Sequence, residues 1–392
     1  VKAEITLENG QGQLLSADLN GDGWLDLVTV DSAGVRVSLN LGHGHFAAPL
    51  TVALGGKEAV LADFDGDGKP DLAIAREHAL FLLLGDGTSG FRETGSIGPA
   101  GIFASLVTGD FNGDGRADVA GIVGEFPSVT VVILFGIGQS GFTMQPPLTI
   151  DVARSLTAAD FNRDGRMDLA VNQCGGATLL LSNGDGSFAP GTAIPGSGGA
   201  NCIYLSTSLA AADMNGDSFP DLVQTFSYKG FGFGLRVYLG DGRGNFVQTP
   251  AQPFIDIFPG GGRSLALGDF DGDGFPDVAA VYAGAVAVMR GDGKGGLGPP
   301  TFIPVSTSSS GLLAGDLDGD GRPDLLTFDG FLLTNTCRSG GFERVLVVPV
   351  LVSAPGAAGA AYESDLTITN AGSSSTDLEL RYTATTGAGD GT

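Results

Sequence analysis

Short apolar runs recur along the whole chain, each separated from the next by a polar, glycine-rich segment. Some alternate apolar with polar residues, as in Val35-Arg-Val-Ser-Leu and Leu235-Arg-Val-Tyr-Leu, the two-residue period of a half-buried strand. The runs are organised around an acidic block. DLNGDGWLD begins at Asp18, DFDGDGKPD at Asp63, DFNGDGRAD at Asp110, DFNRDGRMD at Asp160, DMNGDSFPD at Asp213, DFDGDGFPD at Asp269 and DLDGDGRPD at Asp316. The steps between starts are 45, 47, 50, 53, 56 and 47 residues. An apolar run precedes each block, such as Leu265-Ala-Leu, and another follows it, such as Leu72-Ala-Ile-Ala. The alternating run comes next, then a glycine-rich hairpin closing on an aromatic: GHGHF at Gly42, GDGTSGF at Gly85, GIGQSGF at Gly136, NGDGSF at Asn183 and GDGRGNF at Gly240. The sixth copy closes on Leu297 and the seventh on Phe342. A fourth extended segment follows each hairpin. Four strands per unit, in seven units, predict an all-β chain folded as a seven-bladed β-propeller over residues 1–343. Two segments compete to supply the last blade's fourth strand: Glu4 to Leu7, which is favoured, and Glu343 to Val348.

Each block carries oxygen side chains at positions 1, 3, 5 and 9. These are Asp18, Asn20, Asp22 and Asp26; Asp63, Asp65, Asp67 and Asp71; Asp110, Asn112, Asp114 and Asp118; and Asp160, Asn162, Asp164 and Asp168. The last three sets are Asp213, Asn215, Asp217 and Asp221; Asp269, Asp271, Asp273 and Asp277; and Asp316, Asp318, Asp320 and Asp324. Calcium takes about six to eight oxygens from carboxylates, carbonyls and water, and alternate residues of a tight loop converge on one ion. Position 7 would add a backbone carbonyl from Trp24, Lys69, Arg116, Arg166, Phe219, Phe275 or Arg322. Position 6 is glycine except at Ser218, as a turn with positive φ requires. The competing explanation is a plain Asp/Gly turn held by Asx hydrogen bonds. Repetition at constant spacing favours the metal, and up to seven calcium ions are expected. Magnesium, which demands tight octahedral geometry, fits less well. The blocks at Asp63, Asp269 and Asp316 hold four Asp each and should bind best. The block at Asp213 has Ser218 at the turn and should be weakest, and Arg163 must swing out of the block at Asp160.

Composition sharpens this picture. With 66 glycines in 392 residues but 42% hydrophobics, the chain is neither disordered nor mainly helical. Lys plus Arg number 20 against 44 Asp plus Glu, a formal charge of −24. That balance opposes binding to a nucleic-acid backbone or to an anionic membrane. No apolar run is long enough to cross a membrane as a helix. Of the 44 acidic residues, 24 lie at the loop ligand positions, and seven calcium ions would bring −24 to −10. Without cations the loops repel themselves, so the metal-free protein should be much less stable. The chain begins without Met or a leader, as expected of a mature or trimmed product.

The units resemble the FG-GAP or VCBS repeats of integrin α-subunit propellers and of many bacterial secreted proteins. The resemblance covers roughly residues 1–343 and implies a calcium-stabilised, extracellular or cell-surface propeller whose ligands are the block residues named above. Family members include adhesion modules, lectins and some lyases. Residues 344–392 change character: Asp365-Leu-Thr-Ile-Thr-Asn and Asp377-Leu-Glu-Leu-Arg-Tyr resemble the opening strands of an immunoglobulin-like β-sandwich, half of such a domain. The chain is therefore expected to be a fragment of a longer multidomain protein.

The family resemblance places the acidic loops and the hairpins between strands 3 and 4 on one face. Ligands are expected on the other, where insertions carry Tyr228, Lys229, Phe231 and Phe233, then Phe254, Phe258 and Arg263. The bland alternative is that these rings pack the loops onto the blades. Cys174 and Cys202 fall on that same face and are expected to form a disulfide, with Cys337 left over. His43 and His45 suggest no third zinc ligand, and no nucleophile–His–Asp arrangement is readable. Glu125, Asp256 and Asp329 remain as carboxylates outside the metal loops. The expected role is a non-catalytic recognition or adhesion module for a carbohydrate or protein. The alternatives are a carbohydrate-active lyase or hydrolase, or a structural spacer.

Overall fold

The computed structural model describes residues 12–76, 78–125, 128–138, 141–150, 153–173, 176–195, 204–228, 233–250, 254–255, 264–282, 285–305, 311–328, 330–335 and 346–349. The chain divides into two compact units, Val1–Val352 and Ser353–Thr392. The sandwich-like tail expected from Asp365 onward lies outside the described residues.

The first unit is a seven-bladed β-propeller, and every described regular element is a strand. Each blade is built on an antiparallel meander of four strands in chain order, and in blades 3 and 5 a short fifth strand, Leu148–Thr149 and Phe254–Ile255, pairs with the third. Blade 1 consists of Gln13–Ala17, Asp26–Val30, Val35–Ser38 and Leu50–Ala53. The innermost strands of blades 2 to 7 are Glu58–Ala62, Phe103–Gly109, Ser155–Ala159, Tyr204–Ala212, Leu265–Gly268 and Leu312–Gly315. Each packs against the next, and Gln13–Ala17 meets Leu312–Gly315 to close the ring. Second strands are covered on both sides by neighbouring blades. Asp26–Val30 and Asp71–Arg76 are therefore buried throughout and read as continuous apolar runs instead of alternating ones.

Seven apolar clusters hold the ring together, one at each blade–blade interface. Position 2 of every acidic block plugs the interface between its own blade and the next. These residues are Leu19, Phe64, Phe111, Phe161, Met214, Phe270 and Leu317, all buried. The hairpin aromatic of the following blade meets several of them: Phe64 lies 5.4 Å from Phe142, Phe111 6.2 Å from Phe188, and Phe161 5.6 Å from Phe246. The two halves of the sequence repeat thus touch across blades, which explains why both are apolar although each sits at a loop end.

Three expectations change. The seventh blade takes its fourth strand from Leu346–Pro349, which pairs with Phe331–Thr334 in the register Phe331↔Pro349 to Thr334↔Leu346. This is the segment following the last hairpin, not the favoured Glu4 to Leu7, which lies outside the described residues. An adjacent strand in chain order closes the blade over a shorter loop than a strand from the far terminus. The propeller sheet accordingly runs past the expected boundary at residue 343. In blade 5, both described flanks of the segment read as a loop insertion are strand: Asp221–Tyr228 and Phe233–Gly240 pair from Leu222↔Tyr238 to Ser227↔Phe233. Phe254–Ile255, read as part of a crossing, also pairs with this third strand. Extending the ladder satisfies backbone groups that a long loop would leave open.

Candidate metal centre

All seven acidic blocks connect the first and second strands of their blades, so they share one face of the propeller. Each block wraps its carboxylates in its own backbone amides. In blade 1, Asp18 Oδ1 accepts from Gly21 N at 2.8 Å and Asp22 N at 3.1 Å, and its Oδ2 accepts from Gly23 N at 2.8 Å. Asn20 Oδ1 accepts from Asp22 N, and Asp22 Oδ1 accepts from Trp24 N. Blade 2 repeats the pattern with Asp63, Asp65 and Asp67. These are the Asx bonds of the competing explanation; Oδ1 of Asp18 already accepts two of them, whereas Oδ2 accepts one and keeps a lone pair for a cation. Positions 4 and 6 have left-handed φ, for example 78° at Gly319 and 84° at Gly321. Arg163 at position 4 and Ser218 at position 6 adopt it without being glycine, at φ 58° and 65°. The Arg163 guanidinium does swing out, lying 5.1 Å over the Phe219 ring of the next blade.

The donor set fits a hard cation. Carboxylate oxygens of Asp63, Asp65 and Asp71 lie within 4.8 Å of one another, as do those of Asp269, Asp271 and Asp273 and those of Asp316, Asp318 and Asp320. These are the three blocks with four Asp. Where position 3 is Asn, its amide instead bonds the position-5 carboxylate, as from Asn20 to Asp22 at 2.8 Å and Asn215 to Asp217 at 2.9 Å. In four blades the position-7 side chain is cationic and pairs with position 5: Lys69 with Asp67, Arg116 with Asp114, Arg166 with Asp164 and Arg322 with Asp320. Its hydrogen bond and charge hold Asp67 below the usual carboxylate range.

Position 9 has a second task that the motif alone did not reveal. Asp26, Asp71, Asp118, Asp168, Asp221, Asp277 and Asp324 are completely buried at the start of their second strands. In every blade one oxygen accepts from the position-2 amide and the other from a residue at the end of the third strand or one or two positions beyond it. The carboxylate therefore clamps loop, hairpin and strand together. Desolvation pushes these groups up, to about 7 for Asp118 and about 6 for Asp71, Asp168, Asp221, Asp277 and Asp324, against the downward pull of the amides. A nearby cation would favour the charged form, so metal uptake at such a loop displaces bound protons.

Two further roles escaped the sequence reading. At four of the seven junctions, those of Trp24, Arg166, Phe219 and Phe275, the position-7 side chain leans on position 4 of the preceding blade: a Cβ at Gly319 would lie 2.0 Å from Trp24 Cζ3, and one at Gly216 2.8 Å from Phe275 Cε1. The residue that follows or ends the third strand also ties blades together in three places. Asn40 Nδ2 donates to Leu317 O of blade 7, Asn335 Nδ2 to Phe270 O of blade 6, and Ser182 Oγ to Phe111 O of blade 3. The sequence signal was present in the position-4 glycines and in the polar residue replacing glycine at Asn40, Ser182 and Asn335.

The proposed recognition patch is only partly described. Tyr228 ends the second strand of blade 5, Phe233 opens the third, and Phe254 lies in the short strand beside it. Lys229, Phe231, Phe258 and Arg263 lie outside the described residues, as do Cys174, Cys202, Cys337, Asp256 and Asp329. Glu125 ends the second strand of blade 3. The His43 ring lies 5.5 Å from that of Trp24, tilted by 60°.

Seven antiparallel blades, each with an acidic loop between its first two strands on one shared face, define a repeat propeller. The chain belongs to the FG-GAP-like repeat family, matching over residues 18–74, 63–121, 160–223, 230–280 and 269–327. Among solved structures it is similar to an Agrocybe aegerita lectin that recognises non-reducing terminal N-acetylglucosamine. That match has 22% identity and a TM-score of 0.54, covering 82% of this chain and 86% of the lectin chain. It is also similar to BBS1N, solved in complex with ARL6DN, with 12% identity and a TM-score of 0.57 over 87% of this chain and 96% of that one. At these identities the likeness is one of fold.

Proposed function

We propose that this protein is an extracellular calcium-binding propeller that acts as a recognition module for a carbohydrate or protein ligand. In each loop the ion would be held by the side-chain oxygens of positions 1, 3, 5 and 9 and the carbonyl of position 7. The observation that carries this reading is the convergence of three carboxylates within 4.8 Å in the blocks at Asp63, Asp269 and Asp316. Like charges at that separation repel by roughly 3 kcal/mol per pair at an effective dielectric of about 20, a cost that a divalent cation reverses. The ion's role is structural: it fixes the loops that hold neighbouring blades, and the opposite face is left to the ligand. The same scaffold serves a sugar-binding lectin and a propeller that engages a protein partner, so either ligand class suits it.

Metal analysis and calorimetry on chelated and reloaded protein test the first part. Each site filled to about a hundredfold over its Kd adds roughly 2.7 kcal/mol, so reloading should raise the melting temperature strongly. No calcium uptake and no gain in melting temperature would end the reading. A glycan array probed with calcium and with chelator tests the second part. Calcium-dependent binding that Tyr228→Ala and Phe231→Ala abolish is expected, and binding untouched by both variants removes the blade 5 patch. Release of sugar fragments would instead support the catalytic alternative.

A further inference from the structure

The acidic loops share one design but differ in the cation that each keeps beside it. In the three blocks with four Asp a basic side chain stands at the loop: Lys69 on Asp67 at 2.9 Å, Arg322 on Asp320 at 3.7 Å and Arg290 on Asp271 at 3.5 Å. Four carboxylates and one cation leave −3 in each of them. The blocks at Asp18 and Asp213 reach the same charge with three Asp and, among the described residues, no ion pair.

Arg290 differs from the other two cations in origin. Lys69 and Arg322 are position-7 residues of their own blocks, where the sixth block has Phe275. Arg290 instead follows the third strand of blade 6, Ala285–Met289, and precedes Gly291, whose amide bonds Asp277. The equivalent residues of blades 1 to 5 are Leu39, Leu84, Phe135, Leu181 and Leu239, all apolar. Arg290 also takes a different carboxylate. Lys69 and Arg322 sit on position 5, at side chains 30% and 37% exposed, whereas Arg290 sits on position 3, at a side chain only 12% exposed. Charges that are partly shielded from water are screened less. Asp271 Oδ1 accepts from Asp273 N at 3.2 Å and Oδ2 faces Arg290 Nε, so both oxygens of this ligand residue are engaged. The position-3 carboxylates Asp65 and Asp318 accept the equivalent amide bond and, among the described residues, form no ion pair.

We propose that Arg290 is a resident counter-cation that sets the calcium affinity of the sixth loop. Without metal it holds Asp271 and offsets the repulsion among Asp269, Asp271 and Asp273, whose oxygens lie within 4.8 Å of one another. On calcium uptake the same charge opposes the ion, so this loop fills at higher calcium than the loops at Asp63 and Asp316. A unit charge a few ångström from a divalent ion weakens its binding about tenfold even at the dielectric of bulk water. The affinity difference rests on the calcium reading of the loops, whereas the metal-free ion pair does not.

The test uses the full chain with Arg290→Leu, the residue of four other blades, with Arg290→Gln and with Arg290→Lys. Bound calcium is measured by elemental analysis across a series of chelator-buffered free calcium concentrations. Arg290→Leu and Arg290→Gln should each hold up to one more ion per chain than the parent over about a tenfold span of free calcium, and Arg290→Lys should follow the parent. The extra ion should be absent in an Asp269→Asn background, which assigns it to the sixth loop. In chelator, Arg290→Leu should melt about 1–3 °C below the parent, and calcium should raise its melting temperature by more than it raises the parent's. The metal-free loss should shrink in an Asp271→Asn background, where the guanidinium has lost its carboxylate. Coincident retention curves for parent, leucine and glutamine, tightening by lysine equal to that by leucine, or a metal-free loss unchanged by Asp271→Asn overturns the proposal. A parent that takes up no calcium at all ends the calcium reading and the affinity difference with it, and the metal-free cycle then decides separately whether Arg290 holds Asp271.

Discussion

The contact between Trp24 and the neighbouring blade offers a sharp test of how the loops are linked. Gly319 and Gly321 occupy positions 4 and 6 of the seventh block, with φ 78° and 84°. Both are exposed, and both donate their amides to Asp316, at 2.7 and 2.9 Å. Alanine at either site adopts a left-handed conformation at about 1 kcal/mol. At Gly321 nothing lies within 4 Å of the added Cβ, so the cost stops there. At Gly319 the Cβ would sit 2.0 Å from Trp24 Cζ3 and 2.5 Å from Cη2, well inside the ordinary contact distance of about 3.5–4 Å. The ring must move off Gly42 and His43, against which it packs. Forced displacement of a packed side chain costs about 1–3 kcal/mol more.

Gly319→Ala should therefore lose ~2–4 kcal/mol and Gly321→Ala ~1 kcal/mol, measured by urea denaturation in saturating calcium. Trp24 is the single tryptophan of the chain, so its emission reports this contact directly. Its spectrum should shift in Gly319→Ala and stay unchanged in Gly321→Ala. Equal losses in the two variants, or an unshifted spectrum in Gly319→Ala, would refute the link between position 7 of one blade and position 4 of the blade before it.

Three other outcomes follow from the geometry. Asn40 is buried and bonds Leu317 O at 2.8 Å, Leu25 O at 3.1 Å and Gly42 N at 2.9 Å, so Asn40→Ala should cost ~2–3 kcal/mol by loosening the closure between blades 1 and 7; a loss under ~1 kcal/mol in denaturant titration would argue against that latch. Ser218→Gly removes a left-handed serine while keeping the amide that bonds Asp213, and should stabilise the protein by ~0.5–1 kcal/mol and tighten calcium at the fifth loop; no gain in melting temperature counts against strain there. Burial raises Glu58 from 4.5 to about 7, so the folded protein holds this proton more tightly and its contribution is lost as pH rises from 4.5 through 7. Glu58 keeps some solvent contact, and Glu58→Gln should be more stable than the parent by ~1–3 kcal/mol at pH 8 and no different near pH 4.5. The same gain at both pH values would show that the charge is not the cause.

The repeat spacing, the four-strand count and the acidic positions were all legible without coordinates, because each is local. A strand announces itself by period and a tight loop by its glycines. In the blocks at Asp269 and Asp316 the carboxylates of positions 1, 3 and 5 converge, as alternate residues of so short a loop can. The roles of positions 2, 4, 7 and 9 depend on a partner elsewhere in the chain. Phe111 reads as a stray apolar residue until Phe188 of the next blade meets it, and Gly319 reads as turn chemistry until Trp24 lies across it. Asp118 looks like one more ligand until Phe111 N and Gly136 N are found on its two oxygens. Ring closure is the extreme case. Gln13–Ala17 and Leu312–Gly315 are separated by nearly the whole propeller in sequence yet pack side by side, and no periodicity in the chain encodes which strand completes the last blade. Contacts between distant residues are set by how seven similar units pack around an axis, and that arrangement exists only once the blades have come together.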